Sequence, residues 1–305
     1  MSKLTSLTLA AGLAGIMLGG GSALAQQPTF ADPEAALEAF REALFAPADS
    51  GRLLELFGAA YQDELIGGDP ATVRQTVDAA RNAAAEALVV IPGEAPDTYE
   101  ILLGRAGWPM PIPVARDGES WVFDTEAGIE EIIDRRIGEN ELAAIEAARA
   151  YLEAQRLYGS ADRNDDGVLE FAQHLISTEG QRDGLFWPTA AGEAPSPLGP
   201  LAASEADYLV YYRSGEPYYG YRFKVLTRQG DAAPGGAYDY MVNGRLLTGY
   251  GLLAWPADYG NSGIMTFMIN HLGDLHEADL GEETEELAAA IHGYDPGEGW
   301  AVVED

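Results

Sequence analysis

Not one residue of this 305-residue chain is cysteine. Whatever it folds into must be held by core packing and backbone hydrogen bonding, with no disulfide scaffold. The same lack removes thiolate catalysis, zinc–thiolate and iron–sulfur centres, and c-type haem attachment. The constraint is sharper because the N-terminus reads as an export signal. Met1-Ser2-Lys3 is a short basic start, an apolar stretch runs from Leu4 to about Leu18, and Ala23-Leu24-Ala25 has the small-x-small pattern of a cleavage site. Residues 1–25 are therefore expected to be removed, leaving Gln26 as the first mature residue. Exported chains are usually free to use disulfides. The apolar stretch is too short and too glycine-rich for a membrane span, and no later segment is apolar for long enough. The expectation is a mature protein in the periplasm with no membrane span.

Charge narrows the partners. There are 49 acidic against 18 basic residues, a formal net charge of -31. Phosphate binding runs on Lys and Arg, so nucleic acid and anionic membrane surfaces are excluded as partners. At 47% hydrophobic and 22% charged the chain has enough apolar surface to bury a core. Lys3 and Lys224 are its only lysines. An acidic, Lys-poor surface suits a salty exterior, and a GC-rich coding bias gives the same composition.

Periodicity divides the chain in two, and the expected class is α+β. Asp32-Pro33-Glu34 is a cap, a first-turn Pro and an acidic start. Ala36, Leu37, Phe40 and Leu44 follow at helical spacing. A short helix over 53–57 and a third from Asp69-Pro70 to about Ala87 complete the helical part. Strands are expected at 88–91, 99–103, 110–114 and 120–124, the third irregular because Pro cannot donate to a ladder. Helices then a curved antiparallel sheet form one expected domain, residues 26–137. Thr125 to Arg136 reads as helix, Gly138 as its break, and 139–158 as a second long helix opening a domain over 138–305. Beyond 159 Gly, Pro and Tyr rise. Short strands are expected at 219–227, 238–243, 246–255, 264–270 and 275–278, with Asn243-Gly244 as a hairpin turn. A last helix is expected over 281–292.

Three constellations could carry chemistry. In the run from Asp162 to Glu170, Asp162, Asn164 and Asp166 fill alternate positions and Gly167 stands at the turn. Oxygen ligands so spaced, with Glu170 at the ninth position, can enclose Ca²⁺. The twelfth position is Gln173, not a bidentate Glu, so the affinity expected is weak, roughly 10⁻⁴ to 10⁻³ M. The other reading is a solvated Asx-turn loop capping a following helix. Second, tyrosines crowd between 208 and 221, and Trp-Pro pairs stand at 108, 187 and 255. Either these rings form the core of a loop-rich domain, or Trp187, Tyr211, Tyr218 and Trp255 line a groove for a sugar or peptide. Third, Arg135-Arg136 either hold a carboxylate ligand or pair with Glu130, Glu131 and Glu139 at the domain junction. His271 and His276 flank Asp274 and Glu277, a conceivable metal set that a strand turn explains more simply. Gly249-Tyr250-Gly251 to Ala254 spells a dinucleotide fingerprint but runs into Trp-Pro, not a helix. No G-x-S-x-G, H-E-x-x-H or P-loop is present.

Several runs together resemble a known family. They are 107–113 (GWPMPIP), 121–125 with Gly128, Arg135-Arg136-Ile137-Gly138 with Asn140-Glu141, 183–188, 196–200, 234–240, Tyr259-Gly260 to Gly263 with Thr266-Phe267, and 279–281. The chain resembles the bacterial domain-of-unknown-function family 2950, exported proteins without an established activity, over nearly all its mature length. At fold level the first half resembles NTF2-like domains, and the second the globular part of pilins and pseudopilins, which hold Ca²⁺ in some loops. Taken together these features suggest a non-catalytic binding or assembly module of the cell envelope, met by a protein or polymer partner and with Ca²⁺ as its one candidate cofactor. A glycan or peptide hydrolase with carboxylates in an aromatic cleft is the alternative.

Overall fold

The computed structural model describes residues 27–47, 51–66, 70–164, 166–190, 192–199 and 217–304. The signal-like segment and Tyr211 lie outside them. The class is α+β, with every strand of its two larger sheets paired antiparallel.

Helix α1 (Pro33–Leu44) begins where the cap and proline place it. The Asp32 side chain accepts from the Ala35 amide at 2.8 Å, satisfying one of the donors a helix start leaves open. Ala36, Phe40, Ala43 and Leu44 then fall on one buried face. Helices α2 (Arg52–Phe57), α3 (Gln62–Ile66) and α4 (Pro70–Glu86) follow. The sheet they accompany comprises β1 (Leu88–Pro92), β2 (Thr98–Leu103), β3 (Trp108–Pro109), β4 (Val114–Asp117) and β5 (Ser120–Phe123). Its order is β1-β2-β4-β5, with β3 also on β2. The expected strand over 110–114 is instead split. Three prolines between 109 and 113 interrupt the ladder, leaving β3 and β4 as separate strands with the Met110 amide donating to the Ile101 carbonyl at 2.8 Å. Phe40, Leu44, Ile101, Val114, Trp121 and Phe123 are among the residues closing this core.

Helix α5 (Thr125–Gly159) corrects the expectation of a break at Gly138: it is one helix of 35 residues. Asp124 caps it, accepting from Ala127. Its first turns press on the first sheet, since a Cβ at Gly128 would sit 2.9 Å from Ile112 Cα and from the Pro111 carbonyl oxygen. From Ala144 onward it faces a second core with Tyr221, Tyr240, Leu252, Phe267 and Ile269. Polar bonds fix that face. Tyr151 Oη donates to the Gly251 carbonyl at 3.0 Å and accepts from Gln155, whose amide also exchanges two bonds with Ala172. Burial pushes the Tyr151 phenol above its ordinary range.

The second large sheet runs Ala301–Val302, Leu275–Asp279, Met265–Asn270, Gly251–Pro256, Tyr221–Leu226. The strand 251–256 is buried throughout, which disposes of the dinucleotide spelling. The terminal helix is shorter than expected, Thr284–Ala290 after a single 3₁₀ turn. It closes a third, small core with Leu253, Trp255 and Tyr294.

The two glycines of α5 make opposite predictions. Gly138 is exposed, and a methyl group at its Cα would have nothing within 4 Å. Gly138→Ala should raise stability by about 0.5–1 kcal/mol, the usual helix-interior difference. Gly128→Ala should lower it by roughly 1–3 kcal/mol through overpacking. Urea unfolding of the three chains checks both signs.

Candidate functional site

The polar centre of the molecule is the middle of α5. Arg136 reaches forward to Asn261 Oδ1 at 2.6 Å and donates to the Glu64 carbonyl, bridging α3 to the turn before the strand 265–270. Burial draws its guanidinium down from its usual value, and the Asp258 carboxylate pulls it back. Asn140 donates to the Ser262 carbonyl at 2.9 Å, and Glu141 accepts from the amides of Ile264 and Met265 at 3.0 and 2.9 Å. Gly220, at φ +69°, lets its own backbone pass beneath Asn140, since a Cβ there would lie 2.7 Å from Asn140 Nδ2. Arg135 points the other way. Its Nε pairs with Glu131 at 2.6 Å, its Nη1 donates to the Pro109 carbonyl at 2.9 Å, and its guanidinium carbon lies 4.7 Å from the centre of the Trp108 ring. The expected acid partner is present for Arg135, whereas Arg136 is held by an amide and a carbonyl.

These residues wall a groove between α4, α5 and β3. It comprises two adjoining cavities of about 150 and 370 Å³ that share Thr76, Trp108 and Glu139. The inner one adds Val77, Ile132, Arg135, Arg136 and Asn140, and the outer one Ala80, Ala83 and Tyr219. Two features mark it. Asn140 is 1% exposed, and its Oδ1 has no hydrogen-bond partner among the described residues. A buried polar atom left so costs about 1–3 kcal/mol. At the rim, Tyr219 holds φ +45°, a strained conformation for a bulky side chain. Trp108, by contrast with the other indoles named above, is 42% exposed. Another cleft of about 400 Å³ lies among α1, α2 and α4, near Leu53, Val77 and Arg81, and among the described residues no unpaired buried side-chain atom faces it.

Among the described residues, the rings expected to line an aromatic groove do not come together at the surface. Trp187 and Trp255 are each only 8% exposed and belong to the second and third cores. The Trp255 indole donates to Glu285 at 2.7 Å, and Lys224 lies over its ring. Tyr218 stacks edge-on against Tyr219, on the side of the molecule where the junction groove opens. In the acidic loop, Asp162 accepts from the amides of Asn164, Asp166 and Gly167, Asn164 donates to Glu170, and Asp166 Oδ2 lies 2.6 Å from Arg245. Burial raises the Glu170 carboxyl. The loop leads to the strand His174–Ile176, not to a helix. Among the described residues no group of three or more His, Cys, Asp or Glu could hold a metal. His276 bonds the Tyr294 hydroxyl, and His271 packs between the rings of Tyr240 and Tyr250, so the two do not converge.

Three of the sequence runs that carried the family resemblance meet at this one place: 107–113 through Trp108, 135–141 through the arginines and Asn140, and 259–263 through Asn261 and Ser262. The family described as protein of unknown function DUF2950 matches residues 27–303. The chain belongs to that family. No curated protein and no solved structure matches it. The sequence singled out Arg135 and Arg136, and it named Trp108 as one of three Trp-Pro pairs, Glu139 as an acid partner and Tyr219 within the tyrosine cluster, but it did not join them or Asn140 into one site. Their signal lay in those runs, whose proximity only the fold reveals.

The Glu141 bonds join α5 to the second sheet. Glu141→Ala should cost about 1.5–3 kcal/mol, the range for hydrogen bonds to a charged group, and Glu141→Gln, which keeps an acceptor, clearly less. Thermal or urea unfolding distinguishes the two.

Proposed function

We propose that this is an exported, non-catalytic binding protein of the cell envelope, and that its ligand seats in the groove between α4, α5 and β3. The observation that carries the reading is a pair of adjoining cavities that share the exposed Trp108 indole, beside the buried, unpaired Asn140 oxygen. A cavity of about 370 Å³ falls within the range of roughly 300–1,000 Å³ usual for ligand sites. The groove is walled by aliphatic side chains, two rings and two guanidiniums already engaged with protein groups. Glu139 adds one carboxylate to both cavities, and among the described lining residues it has no second acid beside it to complete the pair that glycoside hydrolysis uses. The basic start, apolar stretch and Ala23-Leu24-Ala25 site support export with cleavage after Ala25 and a periplasmic location. Helices against a twisted antiparallel sheet, and a long helix against a second one, are consistent with NTF2-like and pilin-like halves.

The chain's five tryptophans provide the test. Residues 26–305 labelled with fluorotryptophan should show one resonance, assigned to Trp108 by Trp108→Phe, that moves when a small-molecule extract of the envelope is added. The added material should be recovered chemically unchanged. Movement of the Trp187 or Trp255 resonances alone, or cleavage of the extract, would sink the reading.

Calcium joins this proposal as a stabiliser of the 162–170 loop. Arg245 supplies at Asp166 the positive charge a bound cation would supply, so the two compete. Millimolar Ca²⁺ should raise the unfolding temperature of Arg245→Gln by a few degrees more than Mg²⁺ at equal ionic strength, and Asp162→Ala should abolish the difference. Equal shifts with both ions in wild type and Arg245→Gln would remove calcium from the reading.

A further inference from the structure

A second opening lies apart from the groove between α4, α5 and β3, and main-chain groups define it. The strand Tyr221–Leu226 is the outer strand of the second large sheet. A strand turns the N–H and C=O of successive residues to opposite sides. The Ala257 amide donates to the Gly220 carbonyl at 2.9 Å, and the register pairs Trp255 with Arg222, Leu253 with Lys224 and Gly251 with Leu226. Residues 222, 224 and 226 therefore bond inward, and 221, 223, 225 and 227 face outward. The protein closes both ends of that outer row itself. Tyr221 and Tyr218 donate to each other's carbonyls at 2.9 Å, and Thr227 donates to His292 and accepts from Tyr240. Between these ends, the N–H and C=O groups of Phe223 and Val225 have no partner among the described residues.

Another unpaired row stands across from this gap. The Gln173 and Ser177 amides donate to the carbonyls of Asp183 and Phe186, alongside the parallel pairing of His174–Ile176 with Gly184–Phe186. His174 and Ile176 then turn their main-chain groups away from that partner strand, and these too lack a bond among the described residues. The two rows wall a slot of about 320 Å³, lined by Gln173, His174, Leu175, Ile176, Lys224 and Val225. Open edges are ordinarily guarded by lysine, by proline or by being short. The opposite edge of the same sheet is only Ala301–Val302. Here the strand is six residues long, and its charges are tied back. Lys224 donates to the carbonyls of Ala288 and Ala289 at 2.7 and 3.0 Å, and Arg222 lies 3.8 Å from Glu285. What is left is a row of alternating donors and acceptors, which another extended main chain matches in kind and in spacing.

We propose that this slot receives a short extended segment of a partner polypeptide, which adds as a strand along Phe223 and Val225. The side chains of Phe223, Val225 and Ile176 pack against the second core. Every second side chain of the incoming segment falls on that side and is apolar. A net charge of -31 disfavours an acidic segment, so the partner segment is neutral or basic. The proposal does not rest on ligand binding in the groove.

The test selects peptides that bind residues 26–305 from a random displayed library, and the enriched sequences are synthesised. They should carry apolar residues at every second position and few acids. Amide hydrogen exchange of the wild-type chain, followed by NMR, locates them. The Phe223 and Val225 amides should exchange freely in the chain alone and at least tenfold more slowly with peptide bound. Peptides N-methylated at alternate residues keep their side chains but lose half of their main-chain donors. In at least one of the two alternating registers, methylation should weaken binding tenfold or more by calorimetry. Protection of the 223 and 225 amides without peptide, equal binding by both methylated forms, or a library that yields no binder each overturns the proposal. A peptide that moves the Trp108 resonance and leaves those two amides unprotected binds in the groove. That result overturns this inference and leaves the groove reading standing.

Discussion

The fold depends on helix α5 remaining unbroken. At 35 residues it is about 52 Å long, and its two ends belong to different cores. The first turns lie against β3 and β4 so closely that Gly128 has no room for a side chain. The last turns are buried by the second sheet and tied to it by Tyr151 and Gln155. Neither core contains a disulfide to substitute for that connection. The polar bonds of Arg136, Asn140 and Glu141 sit midway, where the helix leaves one core and enters the other. They are directional, so they fix the rotation of the helix about its axis, which apolar packing alone specifies weakly. That rotation decides which residues face the groove.

Element types were largely legible in the sequence because each rests on local physics. The Asp32-Pro33 cap, the strand run 99–103 and the Asn243-Gly244 turn act over a few residues, and the structure contains α1, β2 and a hairpin joining 241–242 to 245–246. The misreading at Gly138 has the opposite origin. A helix-interior glycine costs about 1 kcal/mol against alanine, which locally favours a break. Arg136, Asn140 and Glu141 each gain tertiary bonds only if the helix continues through 138. Several such bonds outweigh one glycine.

The candidate site was less legible, for a reason of the same kind. Aromatic abundance cannot say which rings are buried. Trp187 and Trp255 have the same Pro neighbour as Trp108, yet they fill cores while Trp108 is exposed. The difference comes from position. The strand 251–256 is central in its sheet and buried along its length. The two residues of β3 hang on one flank of β2, held from outside by Arg135. Asn140 is similarly opaque in sequence. Its two halves do different things, the amide nitrogen binding Ser262 and the oxygen left without a donor among the described residues.

A folded chain rarely leaves a buried carbonyl oxygen unpaired, because nothing offsets the water it has lost. Here Gly220 and Ser262 hold the Asn140 amide in one orientation, so the oxygen cannot turn toward a donor of the protein without giving up the bond to Ser262. The strained backbone of Tyr219 adjoins the same Gly220. Two local costs therefore sit side by side, at the one place where three separated stretches of the sequence meet. Core packing alone gives no account of either. The Asn140 cost follows from the fixed rotation of α5, which the bonds of Arg136 and Glu141 impose.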